Sequence, residues 1–171
     1  SAALLQKQGY TVQGFFMHLP LTDVQNQIER VRSVTQQLSV PLHIIDMRKI
    51  FSDTVIRSFV DQYRRGRTPN PCVICNQQIK FGALMQSMRS RGIDLMATGH
   101  YARIQRNSEN RTVLLRGRDP KKDQSYFLCR LTAKQLNRLI FPLGEQTKKN
   151  ARQLASDMGL RGVHGSESQD V

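Results

Sequence analysis

Gly66-Arg67-Thr68-Pro69-Asn70-Pro71-Cys72-Val73-Ile74-Cys75-Asn76 is the stretch from which the rest of the chain can be read. Two prolines bracket one asparagine, so the backbone is extended and stiff, and helix is disfavoured for the residue before each proline. Immediately afterwards the pattern turns helical, with Ile79, Leu84, Met85 and Met88 at mixed three- and four-residue spacing. The reading is a rigid loop that delivers Cys72 and Cys75 to the first turn of a helix. Unsatisfied N–H groups and the positive end of the helix dipole favour thiolate there, the reactive form of cysteine. Arg64, Arg65 and Arg67, just upstream, push the same way.

Upstream of this loop, strands and helices alternate. Residues 2–8 end a helix that Gly9 closes. Residues 11–17 read as a buried strand. Thr22 with Gln25 forms a capping box, opening a helix whose apolar face is Val24, Ile28, Val31 and Leu38. Residues 41–46 make a second strand, and Ser52 caps a helix bearing Ile56, Phe59, Val60 and Tyr63. Downstream, the cysteine helix closes at Gly92, and residues 94–99 form a third strand ending in Thr98-Gly99. This alternation implies right-handed crossovers and a parallel sheet, with ligands at the carboxyl ends of the strands. Met17 and Gly99-His100 fall at such ends.

From Tyr101 the character changes. Residues 101–105 and 111–116 flank Asn107-Ser108-Glu109-Asn110, a hairpin signal. A loop over 117–124, a short helix over 131–140 and a break at Phe141-Pro142-Leu143-Gly144 follow. Thr147 then caps a helix carrying Ala151, Leu154, Ala155 and Met158, closed by Gly159. The expected fold is α/β, a parallel sheet flanked by helices over residues 1–139. The start of a smaller, mainly helical domain is expected over 140–171, with a polar, loop-like tail from 162 to 170.

The chain has 171 residues, 39% of them hydrophobic, enough for one core and the start of a second unit. No apolar run approaches the length of a membrane span, and the first residues do not read as a signal peptide. Three cysteines make no disulfide framework, so a cytoplasmic protein with reduced thiols is expected. Lys and Arg number 26 against 13 Asp and Glu, a net charge of +13. That excess predicts a polyanionic partner, nucleic acid before membrane. Arg103, Arg106, Arg111, Arg116, Arg118, Lys121 and Lys122 form its densest strip, with Glu109 and Asp119 the acids between them. The chain opens within a helical pattern and without an initiator Met, which suggests a piece of a longer protein.

Cys72 and Cys75 admit three readings: half of a metal site, a sulfur-handling pair, or two incidental small residues. A structural zinc site needs four ligands, and Cys129, His18, His43, His100 and His164 are scattered. Sulfur chemistry leads, and an iron–sulfur site stays open if other thiolates join. Cys129, among Tyr126, Phe127 and Leu128, reads as core packing. His100 is either a contact to phosphate or base or a hydrogen-bonded turn histidine. Lys121-Lys122-Asp123-Gln124 either reads RNA or is a solvated charged loop.

Three motifs in order carry a resemblance over essentially the whole chain. They are residues 67–76 with Ile79-Lys80-Phe81, then Ala97-Thr98-Gly99-His100-Tyr101, then Lys122-Asp123-Gln124-Ser125-Tyr126-Phe127-Leu128. Phe141-Pro142-Leu143-Gly144-Glu145 and Ser168-Gln169-Asp170 fit as well. Together they resemble the tRNA-specific 2-thiouridylases, ATP pyrophosphatases of the PP-loop type. The resemblance implies a Rossmann-like, adenine nucleotide alpha hydrolase-like domain. It implies ATP with Mg2+, adenylation of the C2 oxygen of the wobble uridine of tRNA, and displacement of AMP by persulfide sulfur from a relay donor protein. Carried over by position, Cys75 would close a disulfide with the persulfide cysteine, with Cys72 beside it in the catalytic pair. Ser1, Met17 and Gly99 would contact the nucleotide; Asn70, Pro71 and Cys72 the target base; His100, Lys122, Asp123 and Gln124 the tRNA. Neither DNA nor membrane is implied as a partner.

The same resemblance places the family's phosphate loop before Ser1 and its persulfide cysteine directly after Val171. The chain alone is therefore expected to be inactive. Many members carry aspartate where Cys72 stands, which adds a thiolate next to Cys75. Two alternatives accompany this reading. One is an iron–sulfur-dependent tRNA thiolase, with Cys72 and Cys75 ligating a 4Fe–4S cluster. The other is a non-catalytic basic RNA-binding module with a zinc-stabilised loop.

Overall fold

Parallel strand pairs flanked by helices build the molecule, in a computed structural model that describes residues 1–160. The elements are α1 (Ala2–Lys7), β1 (Gly14–His18), α2 (Val24–Gln37), β2 (Leu42–Asp46), α3 (Arg48–Phe51), α4 (Arg57–Arg64), α5 (Pro71–Ile74) and α6 (Met85–Arg89). Then come β3 (Met96–Ala97), β4 (Ala102–Arg106), β5 (Thr112–Arg116), α7 (Ala133–Leu136), β6 (Leu139–Ile140) and α8 (Lys148–Asp157). Two π-helical stretches, Ser52–Ile56 and Cys75–Leu84, join α3 to α4 and α5 to α6, and a 3-10 turn spans Ser125–Leu128.

β1 runs parallel to β2, from Gly14 opposite Leu42 to His18 opposite Asp46. β3 runs parallel to β6, Met96 opposite Leu139 and Ala97 opposite Ile140. Parallel neighbours need crossovers, and helices supply them. The fold is thus the Rossmann-like α/β arrangement expected. Among the described residues the two pairs are not bonded to each other; a groove of about 610 Å³ lies between them, lined by Val12 and Phe15 on one side and Met96 and Ala97 on the other. The hairpin is as expected: β4 pairs antiparallel with β5, and Asn107 Oδ1 accepts the Glu109 and Arg111 N–H groups at 3.1 and 2.8 Å across its turn.

The core centres on the cysteine helix. Ile79 (0% exposed), Phe81 (1%) and Leu84 pack with Met85, Met88, Met96, Leu128, Leu136 and Leu139. Full burial of a ring such as Phe81 contributes about 2–3 kcal/mol. Glycines let the later loops close onto the hairpin: a Cβ at Gly144 would meet the Ala102 carbonyl oxygen at 2.1 Å, and one at Gly117 the Tyr101 oxygen at 2.5 Å.

Several local expectations are corrected. β1 starts at Gly14 rather than 11, because its partner begins only after Pro41, which has no N–H for a ladder. The Thr22–Gln25 box does not form; Asp23 is the N-cap of α2, and its carboxylate engages the Asn26 side chain instead. Ser52 caps nothing, since helical backbone runs through it from Met47, the N-cap of α3. The third strand shortens to Met96–Ala97, the residues that β6 reaches. The 131–140 helix stops at Leu136, because pairing with β3 draws Leu139 and Ile140 into extended backbone. Cys129 is exposed, not core; Leu128 takes the buried place at 1% exposure. The tail over 162–170, His164 and Ser168-Gln169-Asp170 lie outside the described residues.

Candidate functional site

The loop before the cysteines builds the first half of the site. Asn70 is extended, at φ −110°, and its Oδ1 accepts the Val73 N–H at 3.3 Å, a side-chain N-cap with Pro71 at the first helical position. Cys72 therefore stands one residue into α5 and Cys75 where α5 becomes π-helical. The delivery of two thiols to a helix start is as the sequence predicts.

Their electrostatics are not. Burial pushes the Cys75 thiol above its ordinary value, Lys80 pulls it back down, and Cys72 raises it further. Arg64, Arg65 and Arg67 are exposed and are not among the charges acting on Cys75. The expectation of an arginine-activated thiolate is corrected: the helping charge is Lys80, one π-turn along the same helix.

The π-helical register is secured from outside. A π-turn widens the ladder, and such turns recur at functional sites. Gln135 donates its side-chain NH2 to the Gln77 and Phe81 carbonyls at 3.2 and 3.0 Å. Its Oε1 accepts the Thr132 N–H at 3.0 Å in the capping box of α7. Buried Asn76 (5% exposed) donates to the Phe127 carbonyl at 3.1 Å, tying the helix to the 3-10 turn. Gly82 gives the room this register needs, since a Cβ there would lie 3.1 Å from the Gln77 oxygen.

The second half is a cleft of about 450 Å³ at the carboxyl ends of β1 and β3, where open α/β sheets hold ligands. Met17, Lys80, Thr98, Gly99, His100 and Gln124 line it. Ser1 lies beside this turn: a Cβ on Gly99 would be 3.7 Å from its Oγ. His100 is 9% exposed; its Nδ1 and the Thr98 hydroxyl lie 2.7 Å apart, and its ring packs 5.7 Å from Phe81 and 5.9 Å from Phe141. Burial first, then the Lys80 charge, pushes its pKa down to about 3, so the imidazole stays neutral. His100 is thus a hydrogen-bonded turn histidine that also faces the cleft.

The Lys122-Asp123-Gln124 segment divides. The Asp123 carboxylate accepts the Gly117 N–H at 2.9 Å, the Ser125 N–H at 3.2 Å and the Ser125 hydroxyl at 2.9 Å, and so builds the turn. Gln124 reaches the cleft while its Oε1 accepts the Tyr101 N–H at 3.0 Å. The Lys122 N–H donates to the Asp119 carbonyl at 3.1 Å. The fold therefore gathers Met17, Gly99, His100 and Gln124 in one cleft, and Asn70, Pro71, Cys72 and Cys75 at one helix start. Lys80 connects the two, and sequence reasoning gave it no role. The available signal was a lysine between Ile79 and Phe81, both fully buried.

Among the described residues, no three His, Cys, Asp or Glu side chains group to hold a metal. Cys72 and Cys75 are free thiols, and His43 is engaged elsewhere, 2.9 Å from Gln13 Oε1. This donor set does not make up a zinc or 4Fe–4S site. A nucleotide fits better. The cleft has apolar walls at Phe16, Met17 and Leu19, a small-residue floor at Thr98-Gly99, and a cation at Lys80. No helix among the described residues is long and apolar enough to cross a membrane.

Parallel strand pairs, flanking helices and a ligand-sized cleft at the strand ends define a Rossmann-like α/β protein of the HUP class. The family model described as the tRNA methyl transferase HUP domain matches residues 1–171, and the chain belongs to that family. It is similar to the tRNA-specific 2-thiouridylase MnmA of Geobacter metallireducens, 44% identical over 189 residues that take in 100% of this chain and 50% of that protein. The protein of the same name from Dehalococcoides mccartyi is 46% identical over 178 residues, covering 100% and 49%. That from Desulfotalea psychrophila is 44% identical over 171 residues, again covering 100% and 49%. The chain spans about half the length of the curated relatives it matches.

Proposed function

We propose that the gene product is an ATP-dependent tRNA uridine 2-sulfurtransferase acting on the wobble uridine. The observation that carries this is the placement of two thiols at a capped helix start, coupled through Lys80 to a nucleotide-sized cleft at the strand ends. The likeness to proteins named tRNA-specific 2-thiouridylase supplies the substrate. Met17, Thr98 and Gly99, with Ser1 beside them, would hold the adenine nucleotide; ATP with Mg2+ would supply the adenylyl group that activates the C2 oxygen, with pyrophosphate released. Asn70, Pro71 and Cys72 would face the target base, and His100, Lys122, Asp123 and Gln124 would contact tRNA.

In this reading the C2 oxygen leaves as part of AMP when persulfide sulfur bonds to C2. The Cys75 thiolate then attacks the sulfur of the donor cysteine; the old S–S bond breaks, a new disulfide forms, and the transferred sulfur stays on the base. Burial around Cys75 limits competing water, and Lys80 offsets the desolvation that raises its thiol. The strip of Arg103, Arg106, Arg111, Arg116 and Arg118 suits phosphates flanking an unstacked loop base. Residues 140–171 are proposed to begin a second, tRNA-contacting unit, although Leu139 and Ile140 themselves pair with β3. The support is α8, which has an apolar face but no buried residue. Reduced thiols and a tRNA substrate support a cytoplasmic setting, with a relay protein as sulfur donor.

The test is the 2-thiouridine content of tRNA incubated with the intact gene product, ATP, Mg2+ and a sulfur donor protein loaded with a cysteine persulfide. Wild type is expected to form product and Cys75→Ser to lose it. Loss in Cys72→Ser as well would give Cys72 a base-positioning role. Full activity in Cys75→Ser, or none in wild type, would sink the reading.

A further inference from the structure

Several surface cations of this protein lie in exposed ion pairs, although Lys and Arg outnumber Asp and Glu 26 to 13. Arg48 bonds Asp46, Lys49 and Arg57 share Asp53, Arg103 meets Glu145, Arg111 meets Glu109 and Arg138 meets Asp94. Lys80 is the reverse case. It is half-buried on the cysteine helix, and among the described residues no carboxylate or hydrogen-bond acceptor meets its ammonium. Burial lowers its pKa, and the charges acting on it are those of Cys75 and Cys72. A half-buried ammonium without an anion is costly, so an anionic ligand that completed the pair would be favoured beside it.

The surroundings narrow the ligand. Lys80 opens onto the cleft opposite Thr98 and Gly99, and Gln124, its carbonyl already taken by the Tyr101 N–H, keeps its NH2 as a donor there. Two donors and no acid facing a cleft of about 450 Å³ suit an oxyanion on a ligand of nucleotide size. Position selects which oxyanion. Lys80 lines the cleft from the helix that starts at Cys75, and the charges acting on it are those of Cys75 and Cys72, where sulfur must arrive. The phosphate nearest the reacting carbon is the one bonded to its oxygen, which leaves as a nucleoside monophosphate.

We propose that Lys80, supported by Gln124, binds the phosphate of the nucleoside monophosphate leaving group and so sets that phosphate between the nucleotide cleft and the thiols. This rests on the ATP-dependent reading above. Lys80 then serves twice: it neutralises charge that builds on the departing phosphate, and it draws the leaving group to the side of the cleft that sulfur approaches.

The experiment is calorimetric binding of AMP, adenosine and inorganic pyrophosphate to the intact gene product, as wild type, Lys80→Met and Lys80→Arg. Wild type is expected to prefer AMP to adenosine by about tenfold or more, the worth of one charged hydrogen bond. Lys80→Met should lose that margin with adenosine affinity unchanged, which also shows the cleft intact, and Lys80→Arg should keep most of it. The proposal falls if the margin survives in Lys80→Met, if adenosine binding is lost with it, or if only pyrophosphate binding depends on Lys80. Each of those results leaves the nucleotide-dependent reading standing. A wild-type protein that binds neither adenosine nor AMP overturns both.

Discussion

The hairpin β4–β5 and the helical run from Asn70 to Arg89 treat charge in opposite ways. On the hairpin, Arg103 and Arg111 stay in solvent and meet Glu145 and Glu109 there. On the helical run, one lysine is withdrawn beside two thiols and a neutral histidine, with no acid near it among the described residues. Exposed pairs contribute little to stability because water screens them and ordering long side chains costs entropy. Withdrawn groups are coupled strongly, since fewer waters answer their fields. The difference teaches that basic charge here comes in two forms: diffuse and solvated on the hairpin, and single and withdrawn at the cleft.

The comparison breaks most sharply at Phe81, which is 1% exposed and packs on both His100 and Phe141. Phe81→Ala should cost about 3–5 kcal/mol in urea unfolding, and a loss under 1 kcal/mol would mean that the helical run is not the core. Acid should act next. The folded pKa of His100, about 3, lies below its ordinary 6.5, so the unfolded chain binds the proton more readily. Its neutral form costs nothing above pH 6.5, and stability then falls as pH drops from 6.5 toward 3. The loss should total a few kcal/mol and be absent from His100→Gln, as read from unfolding midpoints against pH.

Gln135 comes third. Gln135→Ala removes two donors to the π-helical carbonyls and the acceptor for the Thr132 N–H, and should cost about 1–3 kcal/mol. Hydrogen exchange across residues 75–84 should rise with it; unchanged exchange would show that the register holds without Gln135. The smallest effect belongs to the hairpin. Glu145→Gln removes the Arg103 pair, at 3.3 Å and half in solvent, and should shift stability by about 0–1 kcal/mol. A larger change would erase the contrast.

The α/β class was legible because apolar runs and helix punctuation repeat with short periods. The hairpin turn, the stiff loop before the cysteine helix and the Thr147 N-cap rest on interactions within a few residues. So did most of the site: residues at strand ends and at the start of the cysteine helix declared themselves locally. Misreadings cluster where distant segments decide. Ile140 left its helix for β3, and Cys129 turned outward because Leu128 took the core position.

By itself, then, the sequence determined the element types, the cysteine loop, the basic excess and the family. Each depends on neighbours along the chain or on composition. Only tertiary structure decided the π-helical register, the neutral state of His100, and that Lys80 rather than the arginines acts on Cys75. Those follow from desolvation and from carbonyls answered by Gln135 more than fifty residues away, and burial by remote segments leaves no periodic trace in sequence.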